Sequence, residues 1–272
     1  MIREAVKSDI GRRRHENQDA FGLFPDLSLY VVADGMGGHA AGAVASTVTV
    51  EAIHHSLVET QNADFTPIVD RRGYCSLAGR RLMIALQQAN ERVRDLGRAN
   101  PEMHGMGTTA VAILFDHASG LLAVCHVGDS RVYRVRDDRI EELTEDHTVV
   151  QQLLKVGKIG PQDIKSSPLR HLLTQAVGTE DLVQPDLRLE LPALGDVYVL
   201  SSDGVHDVVD RDEILQVLRD VGPDLDSACT RLIDLANERG GKDNSTVLIV
   251  SCEAQPDPPA SQSPPTTATQ TP

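Results

Sequence analysis

Arg131-Val132-Tyr133-Arg134-Val135-Arg136-Asp137-Asp138-Arg139-Ile140-Glu141-Glu142-Leu143 alternates in steps of two, breaks at a pair of aspartates, and resumes. Successive side chains of a strand point to opposite faces, so this stretch specifies two strands joined by a tight turn, a hairpin. Away from it the period changes. Leu82, Ala85, Leu86, Ala89, Val93 and Leu96 recur at three- and four-residue steps, which predicts an amphipathic helix from Leu77 to Arg98. Ala43 to Leu57 and Ser227 to Glu238 read the same way, the latter stopped by Gly240 and Gly241. Asp210 and Glu213 resemble a capping box opening a shorter helix. Hairpin-linked strands around long helices favour antiparallel sheets with helices outside over a doubly wound parallel sheet. The expected class is α+β.

Four short apolar runs carry an aspartate at one end. Asp34 follows Leu29-Tyr30-Val31-Val32-Ala33, Asp129 follows Leu121-Leu122-Ala123-Val124, Asp203 follows Val197-Tyr198-Val199-Leu200, and Asp243 precedes Val247-Leu248-Ile249-Val250. Any one of them is an ordinary turn residue at a strand end. Four with the same placement read as a metal site, because carboxylates gathered from several strands repel one another unless a cation holds them. Hard oxygen ligands select Mg²⁺ or Mn²⁺ over zinc. The glycine cluster Gly35, Gly37 and Gly38 lacks the Lys-Ser/Thr of a phosphate-cradling loop. It allows the backbone to fold tightly beside Asp34, leaving the Gly35 carbonyl available as a ligand.

The length of 272 residues allows one or two domains, and ligands running from Asp34 to Asp243 require one. Composition is that of a globular chain, with 40% apolar and 24% charged residues. A net charge of -14, no Trp and 3% aromatics leave no basic patch or stacking platform, so nucleic acid is not an expected partner. The same charge repels phosphorylated partners at long range, and a phosphate site would need local cations. No segment is apolar enough to span a bilayer, and Met1 to Asp9 lacks a signal core, so no membrane partner and a cytoplasmic location are expected. Cys75, Cys125, Cys229 and Cys252 lack paired spacing and read as reduced thiols, with Cys125 in the core. Residues 1–252 form the expected domain; residues 253–272, rich in Pro, Thr and Gln, read as a disordered tail.

Arg14 with Asn17-Gln18-Asp19, Asp34-Gly35-Met36-Gly37-Gly38, Gly105-Met106-Gly107-Thr108-Thr109, Val127-Gly128-Asp129-Ser130-Arg131, Leu143-Thr144-Glu145-Asp146-His147, Ser201-Ser202-Asp203-Gly204 and Asp243-Asn244-Ser245-Thr246 follow one another in order. Together they resemble the metal-dependent type 2C protein serine/threonine phosphatases in their compact bacterial form, up to about Cys252. The resemblance implies a four-layer α-β-β-α sandwich of two antiparallel sheets flanked by helices. It implies Asp34, Asp203 and Asp243 on one Mn²⁺ or Mg²⁺, with Asp34 bridging to a second that also takes the Gly35 carbonyl. Asp129 and Asp203 would form a weaker third site, Asp19 would hold metal-bound water, and Arg14 would bind substrate phosphate, with Arg12 and Arg13 as solvated charges. A bridging carboxylate sets two cations where a water between them is activated, and a guanidinium fork matches phosphate oxygens. The implied partners are phosphorylated proteins, in opposition to a serine/threonine kinase, and the implied state is a monomer.

Three departures from the family pattern stand out. Gln18 replaces a frequent Glu, Gln175 a usual Arg, and Met36 the His that serves as candidate general acid in eukaryotic members. His39, His147 and metal-bound water are the remaining candidates for that acid. Between His147 and Leu172 periodicity is lost, and the segment resembles the family's flap, expected to select substrates or else to be a surface excursion with one helical turn. A phosphoprotein-binding regulator of the same fold is the alternative; it has no need of four mutually repelling ligands. An aspartyl-phosphate mechanism would place a second Asp two residues after Asp34, where Met36 stands.

Overall fold

The computed structural model describes residues 1–38 and 40–253, so His39 and the tail from 254 onward lie outside the described residues. In chain order the elements are β1 (Ile2–Asp9), β2 (Asp19–Phe24), β3 (Leu29–Met36), α1 (Ala41–Glu59), β4 (Ile68–Val69), β5 (Cys75–Ser76), α2 (Leu77–Ala99), β6 (Gly107–Thr108), β7 (Ala110–Asp116) and β8 (Leu121–Val127). There follow β9 (Arg131–Arg136), β10 (Arg139–Glu142), α3 (Val149–Lys155), β11 (Asp186–Glu190), β12 (Val197–Ser201), α4 (Asp203–His206), α5 (Arg211–Val221), α6 (Leu225–Glu238) and β13 (Ser245–Cys252). Of the two main sheets one runs β1-β13-β12-β9-β10 and the other β11-β8-β7-β3-β2, with β6 also paired to β3, and β4 and β5 form a small sheet of their own. Every pairing is antiparallel.

The alternation of side chains sorts the central strands into layers. Leu29, Val31 and Ala33 pack with Ala45, Ile53, Leu82, Leu86 and Ala89 of α1 and α2. Their neighbours Tyr30 and Val32 face Tyr198, Leu200, Leu248 and Val250 of the other sheet. Val199, Val247 and Ile249 turn outward onto Ile214, Ala228, Leu232 and Ile233 of α5 and α6. Strands covered on both faces need apolar residues at every position, which is why Leu29 to Ala33 reads as a continuous run. Each fully buried Leu or Ile contributes roughly 1.5–3 kcal/mol of transfer free energy, and the expected α-β-β-α order is the one that buries all three interfaces.

The hairpin forms as read, with Asp137 and Asp138 at φ 48° and 59°, a turn whose twist matches its strands. The Asp210 and Glu213 capping box is present at the start of α5. The expected helices run one or two residues longer at one or both ends, over Ala41–Glu59, Leu77–Ala99 and Leu225–Glu238, and two further features differ from expectation. Asp34 lies within β3, because Asp19 on β2 pairs with it and β6 pairs with Gly35 and Met36 beyond it. The flap holds the helix α3 and a further 3₁₀ turn at Pro161–Asp163, more than a single helical turn. Thr148 starts α3 by accepting from the Gln151 N–H at 3.3 Å.

Candidate active site

The sheet pairing brings the aspartates to one end of the sandwich. Ser201, the last residue of β12, pairs with Arg131 at the start of β9 and with Val247 near the start of β13. Asp203, Asp129 and Asp243, each within four residues of those positions, therefore emerge together. Asp34 reaches the same place from the other sheet, opposite Asp19. Its backbone is fixed: its N–H donates to Thr109 Oγ1 at 3.1 Å, and its carbonyl accepts from Thr108 Oγ1 at 2.8 Å. Gly35 is required by close approach, since a Cβ there would lie 2.1 Å from the Gly42 carbonyl oxygen.

Asn244 binds the N-terminal loop to this cluster. Its side-chain amide donates to the Ile10 carbonyl at 3.0 Å and the Glu16 carbonyl at 2.9 Å, and its oxygen accepts from the Gln18 N–H at 2.9 Å. Arg14 is thereby carried over the carboxylates, and its Nη2 donates to Asp243 Oδ2 at 2.6 Å. The hydrogen bond to Asp243, with the charges of Asp34 and Asp203 nearby, holds the guanidinium more firmly protonated than usual against its partial burial.

The carboxylates are poorly neutralised. Burial pushes Asp34 well above the usual carboxylate range, and the charges of Asp19, Asp203, Asp129 and Asp243 add to it. Asp203 is raised in the same way, by burial and by Asp129, Asp243, Asp207 and Asp19. Burial lifts Asp129 to about 7, with Asp146 adding. Asp19 rises to about 6 through burial, although Thr246 and Ser202 oppose this; their hydroxyls donate to its Oδ2 at 2.7 and 2.8 Å. Asp19 Oδ1 and Asp203 Oδ1 are buried with no hydrogen-bond partner among the described residues. A buried oxygen left without a donor is costly, and two of them in an all-oxygen cluster fit a hard divalent cation.

His147 turns away from this role. Its Nδ1 accepts from the Gly128 N–H at 3.2 Å, its Nε2 lies 3.5 Å from Asp186 Oδ2, and its ring stacks on His126 at 4.7 Å between centroids. With both nitrogens engaged, it anchors the turn that carries Asp129. Gln175 accepts from the Gln184 N–H at 2.9 Å. Two groups at the cluster's border were not singled out by sequence. His171 of the flap lies 4.0 Å from Asp203 Oδ2 through Nδ1 and 3.5 Å from Asp207 Oδ2 through Nε2. Asp207 had a signal, four residues after Asp203 on a helical turn. His171, in an aperiodic segment, had none.

The family model for protein phosphatase 2C matches residues 11–231. The chain is 36% identical over 249 residues to the serine/threonine protein phosphatase PstP of Mycobacterium tuberculosis, covering 92% of this chain and 45% of that protein. It is 32% identical over 250 residues to the protein phosphatase PhpP of Streptococcus pneumoniae, covering 91% of this chain and 96% of that one. The crystal structure of the PstP catalytic domain with two manganese ions superposes with a TM-score of 0.78 at 34% identity, covering 93% of this chain and 99% of that one. The chain belongs to the protein phosphatase 2C family.

Proposed function

We propose that Asp34, the Gly35 carbonyl, Asp203 and Asp243 hold a pair of Mn²⁺ or Mg²⁺ ions, that Asp129 with Asp203 takes a weaker third, and that Arg14 binds the substrate phosphate. The protein is a metal-dependent serine/threonine protein phosphatase. Divalent ions in such a site withdraw charge from phosphoryl oxygens and bring a water's pKa toward neutrality. The chain's own residues do the rest. Arg14 presents guanidinium N–H groups to two phosphate oxygens, orienting phosphorus for in-line attack. Asp19, held through Oδ2 by Ser202 and Thr246, keeps its buried Oδ1 without a partner among the described residues, to accept a hydrogen bond from the attacking water. The new P–O bond forms as the bond to the Ser or Thr oxygen breaks; water gives up one proton as it attacks and the leaving oxygen takes one up, so alcohol and hydrogen phosphate are released with no net change in protons.

The observation that carries the assignment is the pair of buried, unpartnered oxygens on Asp19 and Asp203 within a carboxylate cluster capped by Arg14. Phosphorylated proteins are the substrates, so the enzyme opposes a serine/threonine kinase; we place it in the cytoplasm as a monomer. Among the described residues no helix is long and apolar enough to cross a membrane. Purified protein should hydrolyse phosphothreonine peptides and p-nitrophenyl phosphate with Mn²⁺ or Mg²⁺, lose turnover on chelation and recover it on metal return. Full activity after exhaustive metal removal overturns the proposal.

A further inference from the structure

Most ion pairs of this chain are formed well away from the site. Arg134 and Arg188 bind Glu141 and Glu190, Arg136 binds Asp196, and Arg239 binds Glu213. Arg12, Arg13 and Lys242 differ: all three are exposed and make no ion pair among the described residues. They are also adjacent. The Arg12 N–H donates to the Gly241 carbonyl at 2.7 Å, and a Cβ on Gly11 would lie 2.4 Å from the Asp243 carbonyl oxygen. The turn bearing the two arginines thus lies directly on the loop bearing Lys242. Asp9, whose carboxyl the Arg12 charge helps to lower, accepts from the Gly11 N–H at 2.8 Å and from Asn237 at 3.1 Å. Glu16 is the one acidic side chain within the loop between Gly11 and Gln18.

Placement relative to phosphate follows from chain geometry. Arg13 directly precedes Arg14, and Lys242 directly precedes Asp243, which Arg14 contacts. Adjacent Cα atoms stand about 3.8 Å apart, and an extended peptide advances roughly 3.3 Å per residue. The three cations therefore stand on the two chain segments that meet where Arg14 contacts Asp243. The chain's net charge of -14 repels a polyanionic peptide at a distance. Beyond about 8 Å that field is screened at physiological salt, and unpaired cations at the rim decide what binds at contact range.

We propose that Arg12, Arg13 and Lys242 form a second anion subsite, which selects phosphoserine and phosphothreonine substrates carrying another negative group, a carboxylate or a second phosphate, beside the scissile residue. The proposal rests on Arg14 as the phosphate ligand. Three phosphothreonine peptides of one length, flanked by alanines, by aspartates or by a second phosphothreonine, test it with the full chain in Mn²⁺. Wild type should favour both anionic peptides over the alanine one by roughly tenfold in kcat/KM through KM, more at low salt. A gain for the diphosphorylated peptide alone names phosphate as the second group. The Arg12→Gln/Arg13→Gln/Lys242→Gln variant should abolish the preference, and Arg12→Lys/Arg13→Lys should keep it. No preference in wild type, an unchanged preference in the glutamine variant, or its equal loss of rate on every peptide and on p-nitrophenyl phosphate each overturns the subsite. Failure of wild type to hydrolyse even the alanine-flanked peptide would instead strike at the phosphatase assignment.

Discussion

Two aspartates with buried carboxylate oxygens show opposite solutions to the same problem. Asp196 is fully buried on one side of the sandwich, where Arg136 binds both its oxygens at 2.6 Å and Tyr198 and the Ala193 N–H add hydrogen bonds at 2.9 and 2.8 Å. Burial alone would raise its carboxyl, yet these donors bring it below the usual range. Asp203 is half-buried beside four other carboxylates, which raise it further, and its buried Oδ1 has no partner among the described residues. Within one chain, one carboxylate is matched by a guanidinium, and the other, which we propose as a metal ligand, is left unmatched among the described residues. The unmatched site costs stability in the absence of metal and acquires function with it.

Substitution at the two aspartates should separate these cases most sharply. Asp34→Asn, Asp203→Asn and Asp243→Asn should each lower kcat on p-nitrophenyl phosphate by about two to four orders of magnitude, while Asp203→Asn raises the denaturant midpoint of metal-stripped protein. Asp196→Asn should leave kcat near wild type and cost about 2–3 kcal/mol in urea titration, less than a wholly buried pair because Arg136 is partly exposed. An Asp203→Asn protein less stable than wild type without metal would break the comparison.

Next in size is Arg14→Ala. Charge-assisted hydrogen bonds of roughly 1.5–3 kcal/mol predict a rise of about ten- to a hundredfold in KM or in the inhibition constant for phosphate, with two Mn²⁺ still bound by calorimetry. Unchanged KM and phosphate inhibition would move that role to another cation. Asp129→Ala should be milder, a loss of about tenfold or less that high Mn²⁺ concentrations restore; a loss as deep as that of Asp34→Asn would make Asp129 a main ligand.

The pH dependence of stability should carry opposite signs in the two regions. In metal-stripped protein Asp19 and Asp129 titrate at about 6 and about 7, above the unfolded value of 3.8. Between those limits the folded state binds more protons than the unfolded one, so stability should fall as pH rises from about 4 to about 7. Asp196, held below 3.8, contributes stability that is present above that value and lost as pH falls through its folded pKa. Urea midpoints across this range, with chelator and with saturating Mn²⁺, check the signs, and metal should remove the first slope. The smallest effect is expected from deleting residues 254–272, whose composition offers little apolar surface to pack; turnover and midpoint should match the full chain.

The strands and helices were legible because their cause is local, and the order of the layers came from the family resemblance. The period of two in Arg131 to Leu143, the continuous run Leu29 to Ala33 and the stepped apolar residues of α2 each report how many faces are covered. Asp34, Asp129, Asp203 and Asp243 were legible as a set because each closes or opens such a run. The extension of β3 through Asp34 was not, since it depends on partners at Asp19 and Gly107, distant in sequence. His147 looked like a proton donor from its motif, and only its contacts with Gly128, Asp186 and His126 place it as an anchor.

By itself, then, the sequence determined antiparallel strands with helices outside them and the kinds of ligand, because side-chain period and residue chemistry act within a few residues. Tertiary structure decided which carboxylate received an arginine and which did not, brought His171 to Asp203, and left Arg12, Arg13 and Lys242 without an ion pair among the described residues. Those outcomes depend on distances between residues far apart in the chain, and electrostatic energy follows separation and burial in space.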